Sequence, residues 1–208
     1  TGDAATGMRI YRRTLSAGTT QLVQDGVSRV LGVSDDGSTV VFTGTNLLSP
    51  TDGQSLYVNR NGTTHRVSPL SANDTGFSNR DLVAATEHPL RALRISRDGS
   101  AIVFRAEADT PGLAGVYRWT PDGGTKLLSA RRDGTKVEAM IGTADQARGQ
   151  FATLPGIYSN GRAMTDDGRT VFFETEAALD PRDVNRRADV YRWRDGRLKL
   201  VTPGTGRF

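Results

Sequence analysis

Val33-Ser34-Asp35-Asp36-Gly37-Ser38-Thr39-Val40-Val41-Phe42 is written three times in this chain, with small changes. It returns as Ile95-Ser96-Arg97-Asp98-Gly99-Ser100-Ala101-Ile102-Val103-Phe104 and as Met164-Thr165-Asp166-Asp167-Gly168-Arg169-Thr170-Val171-Phe172-Phe173. A tyrosine phrase follows each copy: Ser55-Leu56-Tyr57-Val58, Gly115-Val116-Tyr117-Arg118-Trp119 and Asp189-Val190-Tyr191-Arg192-Trp193. Repetition on this scale marks a fold built from equivalent supersecondary units.

One copy specifies four strands. In the third, Asp167-Gly168 precedes the run Thr170-Val171-Phe172-Phe173, and Asp-Gly beside such a run is a hairpin signal because glycine accepts positive φ. A second turn, Asp195-Gly196, separates Val190-Tyr191-Arg192-Trp193 from Leu198-Lys199-Leu200-Val201, where apolar residues alternate as in a half-buried strand. The expected strands are 162–165, 170–175, 189–194 and 197–202. The other copies place theirs near 29–34, 39–44, 55–60 and 63–68, and near 92–96, 101–106, 115–120 and 125–129. A four-stranded sheet cannot bury both faces alone, and stacking such sheets around an axis solves the problem. The predicted fold class is therefore all-β, a β-propeller of four-stranded antiparallel blades.

Arg9-Ile10-Tyr11-Arg12 and Gln21-Leu22-Val23 match the last two strands of a blade, so residues 7–24 are expected to be the outer strands of a partial one. Blades are expected at 29–68, 92–129 and 162–203, all in one propeller segment, 1–208. That makes about three and a half blades, whereas closed propellers have about four to eight. The ring is expected to be completed by missing blades or by further copies of the chain, since bare sheet edges are normally protected. Asp36, Asp98 and Asp167 lie further apart than the ~40–45 residues of a compact blade. The excess falls in two long inter-blade loops, 70–91 and 130–161, where short helical turns are expected at 79–87 and 144–150. Long loops on a rigid scaffold are common binding sites, although they also cost little as passive insertions.

Composition narrows the function. The chain has 208 residues and no cysteine, which excludes disulfides, thiolate catalysis and cysteine-ligated metals. No apolar stretch approaches the ~20 residues of a membrane-spanning helix. The net charge of +4 is modest, and 24 arginines against three lysines read as genomic coding bias. Arg131-Arg132 and Arg186-Arg187 are the densest basic spots, too small for a nucleic-acid surface, which needs a continuous basic patch with interleaved aromatics. The chain begins at Thr1 rather than Met, which reads as a mature, trimmed or excised segment.

The repeats resemble the TolB-like propeller repeat. The resemblance is carried by Ser34-Asp35-Asp36-Gly37, Ser96-Arg97-Asp98-Gly99 and Thr165-Asp166-Asp167-Gly168, by Phe42, Phe104 and Phe173, and by the strand ends Val67-Ser68, Leu128-Ser129 and Val201-Thr202. It covers roughly residues 8–68, 92–129 and 162–203, and the third copy is closest. It implies a propeller, export from a high-GC Gram-positive bacterium, and a binding or scaffolding role. It does not imply a shared activity, since fold does not fix function.

Candidate chemistry is sparse. Asp183-x-Asn185-x-x-x-Asp189 offers oxygen ligands suited to Ca²⁺, although Arg186 and Arg187 intrude and the same side chains could simply cap a tight loop. The equivalent loops carry Ser49 and Ser55, or Asp109 and Gly115. No other cofactor is expected. Asp36, Asp98 and Asp167 read as turn residues on separate blades rather than a convergent catalytic set. His65 and His88 are too few for a metal triad, and no Gly-x-Ser-x-Gly elbow occurs. Tyr57, Tyr117, Tyr191, Trp119 and Trp193 recur at equivalent positions, as inter-blade packing requires. No catalytic residue is assigned. The expected function is a non-catalytic extracellular or periplasmic module that binds or scaffolds a protein or polymer. The alternative is an accessory or partial catalytic propeller of a polysaccharide- or peptide-acting enzyme.

Overall fold

A computed structural model describes residues 7–69, 93–108, 110, 112–141 and 163–205. Among them there are strands and turns and no helix. The first sheet contains β1 (Met8–Thr14), β2 (Thr19–Val33), β3 (Thr39–Thr45), β4 (Gln54–Arg60) and β5 (Thr63–Pro69). The second contains β6 (Leu93–Ile95), β7 (Ile102–Ala106), β8 (Gly115–Thr120) and β9 (Gly124–Leu127). The third contains β10 (Met140–Ile141), β11 (Thr170–Thr175), β12 (Asp189–Arg194) and β13 (Arg197–Leu200). All paired strands are antiparallel, and in each sheet the spatial order follows the chain order, as in propeller blades.

Period-two alternation explains why the central strands are apolar throughout. Successive side chains leave opposite faces of a sheet, and a blade between two neighbours must bury both. Val41, Leu56 and Val58 of the first blade meet Ile102, Phe104, Tyr117 and Trp119 of the second. The alternate residues of the second blade, Val103 and Val116, turn the other way and meet Val171, Phe173 and Tyr191 of the third. On the far side of the first blade, Val40, Phe42 and Tyr57 are covered by Ile10 and Leu47. Each Phe–Tyr pair occupies one rung of its sheet with rings stacked: Phe42–Tyr57 at 6.0 Å, Phe104–Tyr117 at 5.5 Å and Phe173–Tyr191 at 6.0 Å.

The repeated turn fastens blade to blade. In the first copy the Asp36 carboxylate accepts hydrogen bonds from the Ser34 hydroxyl (2.6 Å) and the Ser38 amide (3.0 Å), while the Thr39 amide donates to Ser34 Oγ (3.0 Å). The second and third copies repeat this arrangement with Asp98 and Asp167. The Asp35 amide donates to the Arg97 carbonyl, and the Arg97 amide donates to the Asp166 carbonyl, so the relay runs through all three blades. Gly99 (φ 65°) lies under Thr39 so closely that a Cβ would sit 2.1 Å from the threonine Oγ1. Gly168 (φ 64°) lies under Ala101, with 2.4 Å between the corresponding Cβ positions. Gly37 adopts the same conformation (φ 67°), but a Cβ there would meet nothing within 4 Å.

Two boundaries differ from expectation. The outer-strand pair expected at 7–24 does form a hairpin, but it is not separate from the next blade. β2 runs unbroken from Thr19 to Val33, pairing first with β1 and then with β3. A bend at Gly26 (φ 71°) and register shifts on either side of Arg29 let one strand change partners, so no turn is needed. The innermost strand of the third blade, expected at 162–165, is split. Met140 and Ile141 pair with Glu174 and Phe173, and Met164 bridges Val171 two residues further along β11. Met140 and Ile141, within the segment 130–161 expected to be an inter-blade loop, therefore supply part of that strand. Residues 70–91 and the helical turns expected at 79–87 and 144–150 lie outside the described residues.

Candidate functional site: buried carboxylates and an open blade face

The first and third blades close the loop between their second and third strands with the tyrosine hydroxyl. In the first blade Tyr57 donates to Asp52 Oδ2 (3.0 Å) and accepts from the Leu47 amide (3.2 Å). In the third, Tyr191 donates to Asp183 Oδ2 and accepts from the Leu179 amide (3.0 Å). Burial is the main cause that pushes both phenols upward in pKa, and for Tyr191 the Asp183 carboxylate adds to it. Asp52 and Asp183 are thus equivalent, and so are Ser55 and Asp189, two residues before the tyrosine.

The surroundings of these equivalent positions differ in charge. In the first blade the Arg66 guanidinium spans them: Nε donates to Ser55 Oγ (3.0 Å), Nη2 to the Asp52 carbonyl (2.9 Å), and Nη1 lies 3.5 Å from Asp52 Oδ1. In the second blade Gly115 takes the Ser55 position, and Lys136 lies across it, its methylenes 3.0 and 3.1 Å from where a Cβ would be. The Lys136 ammonium donates to the Glu107 carbonyl and sits 5.9 Å from the Tyr117 ring centre. In the third blade Leu200 pairs with Tyr191 as Arg66 pairs with Tyr57, so an apolar residue stands where the guanidinium stood.

That blade instead carries two acids. Asp183 is 5% exposed and Asp189 3%. Asp189 Oδ1 accepts from the Thr202 hydroxyl (2.5 Å), but Asp189 Oδ2 and Asp183 Oδ1 are buried with no hydrogen-bond partner among the described residues. Asn185 does not share this burial. It stays half-buried in the loop and accepts the Arg187 amide (2.8 Å), a local capping bond. Arg182 is held by Asp180 at 2.7 Å, and Arg186 and Arg187 are exposed.

A second feature is the outer face of the third blade. Arg118 of the second blade donates Nε to the Gly168 carbonyl (2.8 Å) and lies 5.4 Å from the Trp193 ring centre. Arg192 is its counterpart one blade later, and its Nε is buried without a hydrogen-bond partner among the described residues. Phe172 and Val190, counterparts of the fully buried Val103 and Val116, are half-buried. At the opposite end, the inner strand of the first blade exposes Val30 (43%) and Val33 (52%) beside the open Gly37 turn. His65 packs against Trp119 with ring centres 5.9 Å apart and the rings tilted by 47°, a contact across the first blade boundary.

One five-stranded and two four-stranded sheets, stacked through Ser/Thr-x-Asp-Gly turns and not closed into a ring among the described residues, define a partial β-propeller. No family model matches the chain, and no curated protein matches it. Among solved structures it is similar to TolB from Acinetobacter baumannii (16% identity, TM-score 0.38), with 94% of this chain and 38% of that one covered. It is similar also to the β-propeller domain of the Trilobed protease from Pyrococcus furiosus (10%, TM-score 0.45; 93% and 48% covered). A third is the acylaminoacyl peptidase of Pyrococcus horikoshii (12%, TM-score 0.42; 94% and 28% covered). The chain therefore spans less than half the length of each of these.

Proposed function

We propose that the chain is a non-catalytic binding or scaffolding module, exported to the cell envelope or beyond, whose partner is a protein or an extracellular polymer. One observation carries the reading. The outer face of the third blade repeats the chemistry of the face that the second blade buries, with its Arg192 donor unmatched. A blade-like surface of this kind accepts another blade: a turn carbonyl against Arg192 and apolar side chains against Phe172 and Val190. The open Gly37 turn of the first blade is the complementary edge. Two copies joined head to tail at both junctions close a twofold ring within the usual four to eight blades.

Light scattering tests the assembly. The expected mass is about twice the 22.4 kDa of one chain, falling to a single chain for Arg192→Glu. A folded wild-type chain that stays at 22.4 kDa at high micromolar concentration overturns self-completion. For the binding role, the chain is expected to be retained on immobilised envelope polymers or proteins, and absence of retention across such a panel overturns it.

A further inference from the structure

We propose that the third blade binds a calcium ion between Asp183 and Asp189, in the place that Arg66 fills in the first blade and Lys136 in the second. The repeat itself supports the inference. At one architectural position, the first blade puts a guanidinium and the second an ammonium. Among the described residues the third blade has no basic side chain bonded at this position, and it adds an acid. Opposite the tyrosine, Leu200 stands where the first blade has Arg66, as Leu127 does in the second blade, whose Lys136 arrives from beyond the strand; Asp189 stands where the other blades have Ser55 and Gly115.

Among the described residues that follow β13, 201–205, none is basic, and Arg207 lies outside the described residues. Two carboxylates are thereby withdrawn from water, each with one oxygen lacking a donor among the described residues. An ionised carboxylate in that situation carries a large desolvation cost unless a cation compensates it. Hard carboxylate oxygens without imidazole or thiolate select a hard cation. Calcium suits them better than magnesium, because it tolerates irregular geometry and completes its roughly six to eight oxygen ligands with carbonyls and water.

The hydrogen bonds already present prepare the site. Tyr191 holds Asp183 Oδ2 and Thr202 holds Asp189 Oδ1, which leaves the other oxygen of each carboxylate for the ion. Asn185 is engaged by the Arg187 amide and is not needed as a ligand.

The test uses the full 208-residue chain, stripped with a chelator and then titrated with CaCl₂ by calorimetry and thermal shift. One calcium per chain is expected, with a dissociation constant of about 10⁻⁴–10⁻³ M as in extracellular modules, and a melting temperature that rises with added calcium. Asp183→Asn and Asp189→Asn are expected to lose the heat and the shift, and Asp195→Asn, an exposed carboxylate on the same blade, to keep both. Leu200→Arg restores the arrangement of the first blade and is expected to abolish the calcium response, while Leu200→Met retains it. These two variants keep the proposal testable if either aspartate variant fails to fold. No heat and no shift at ~10 mM calcium, an equal shift from NaCl at matched ionic strength, or full binding by Leu200→Arg overturns it.

Discussion

Replacing Gly37, Gly99 and Gly168 by alanine, one at a time, separates the cost of a turn conformation from the cost of blade packing. All three have φ between 64° and 67° in the same Asp-Gly context, so a Cβ imposes the same left-handed backbone penalty of about 1–2 kcal/mol at each. Only two of them lie against a neighbour. At Gly99 the new Cβ would be 2.1 Å from Thr39 Oγ1 and 2.4 Å from Thr39 Cβ, and at Gly168 it would be 2.4 Å from Ala101 Cβ. Overpacking of that kind adds about 1–3 kcal/mol. The expected losses are therefore ~1–2 kcal/mol for Gly37→Ala and ~2–5 kcal/mol for Gly99→Ala and Gly168→Ala. Urea titration reads the difference, and thermal melts should show ~2–4 °C per kcal/mol for a chain of this size. Ala101→Gly combined with Gly168→Ala removes the colliding methyl and should recover most of the packing part, leaving the φ penalty. Equal losses at all three glycines, or no recovery in the double variant, would refute the inter-blade account.

The arginine pair gives a parallel contrast. Arg118→Met should cost about 1.5–3 kcal/mol by urea titration, because it orphans the Gly168 carbonyl and uncovers Trp193, while Arg192→Met should be near neutral for an isolated chain. Tyr191→Phe leaves the Leu179 amide and Asp183 Oδ2 without their hydroxyl partner and should cost ~1–3 kcal/mol in the same assay. Acid stability should depend on the turn aspartates. The Ser34 hydroxyl, followed by the Ser38 amide, holds the Asp36 pKa down to about 2, and Asp98 and Asp167 are shifted the same way. A lowered folded-state pKa contributes stability that is present above the unfolded value of ~3.9 and disappears as pH falls through the folded value. The triple Asp36→Asn, Asp98→Asn, Asp167→Asn variant should therefore lose stability less steeply than wild type between about pH 4 and pH 2.

The repeat made the blades legible because its signals are local. Asp-Gly turns and β-branched runs act over a few residues, the Phe–Tyr rungs join neighbouring strands of one blade, and their strands appear where the pattern puts them. Two features escaped because they depend on partners distant in sequence. Nothing around Gly26 announces that β2 will stay continuous while changing neighbours, since a bend and a turn use the same glycine chemistry. Met140-Ile141 is too short to register as a strand, and only its pairing with Phe173 and Glu174 makes it one. The candidate site was half legible. Asp183 and Asp189 stood out by their spacing, but Arg66 and Lys136 became relevant only when the sheets brought them to equivalent positions from the final strand of one blade and from beyond the final strand of the next.

A repeat protein permits an argument that a single fold does not, because each blade is a control for the others. Residues that keep their identity across blades, such as the turn aspartates and the rung tyrosines, are accounted for by bonds that recur in every copy. Function is then to be sought where equivalent positions differ and the difference leaves a chemical need unmet. Most differences leave none: Val58 and Arg118 each find partners in the next blade. Two leave one. Arg192 keeps a donor that its predecessor spends on a neighbouring carbonyl, and the Asp183–Asp189 pair keeps a charge that Arg66 answers in the first blade. The first need is for a carbonyl, which another blade supplies, and the second is for a cation, which solution supplies. Each can be met without the other, so Arg192→Glu should leave the calcium response intact and Leu200→Arg should leave the assembly mass unchanged.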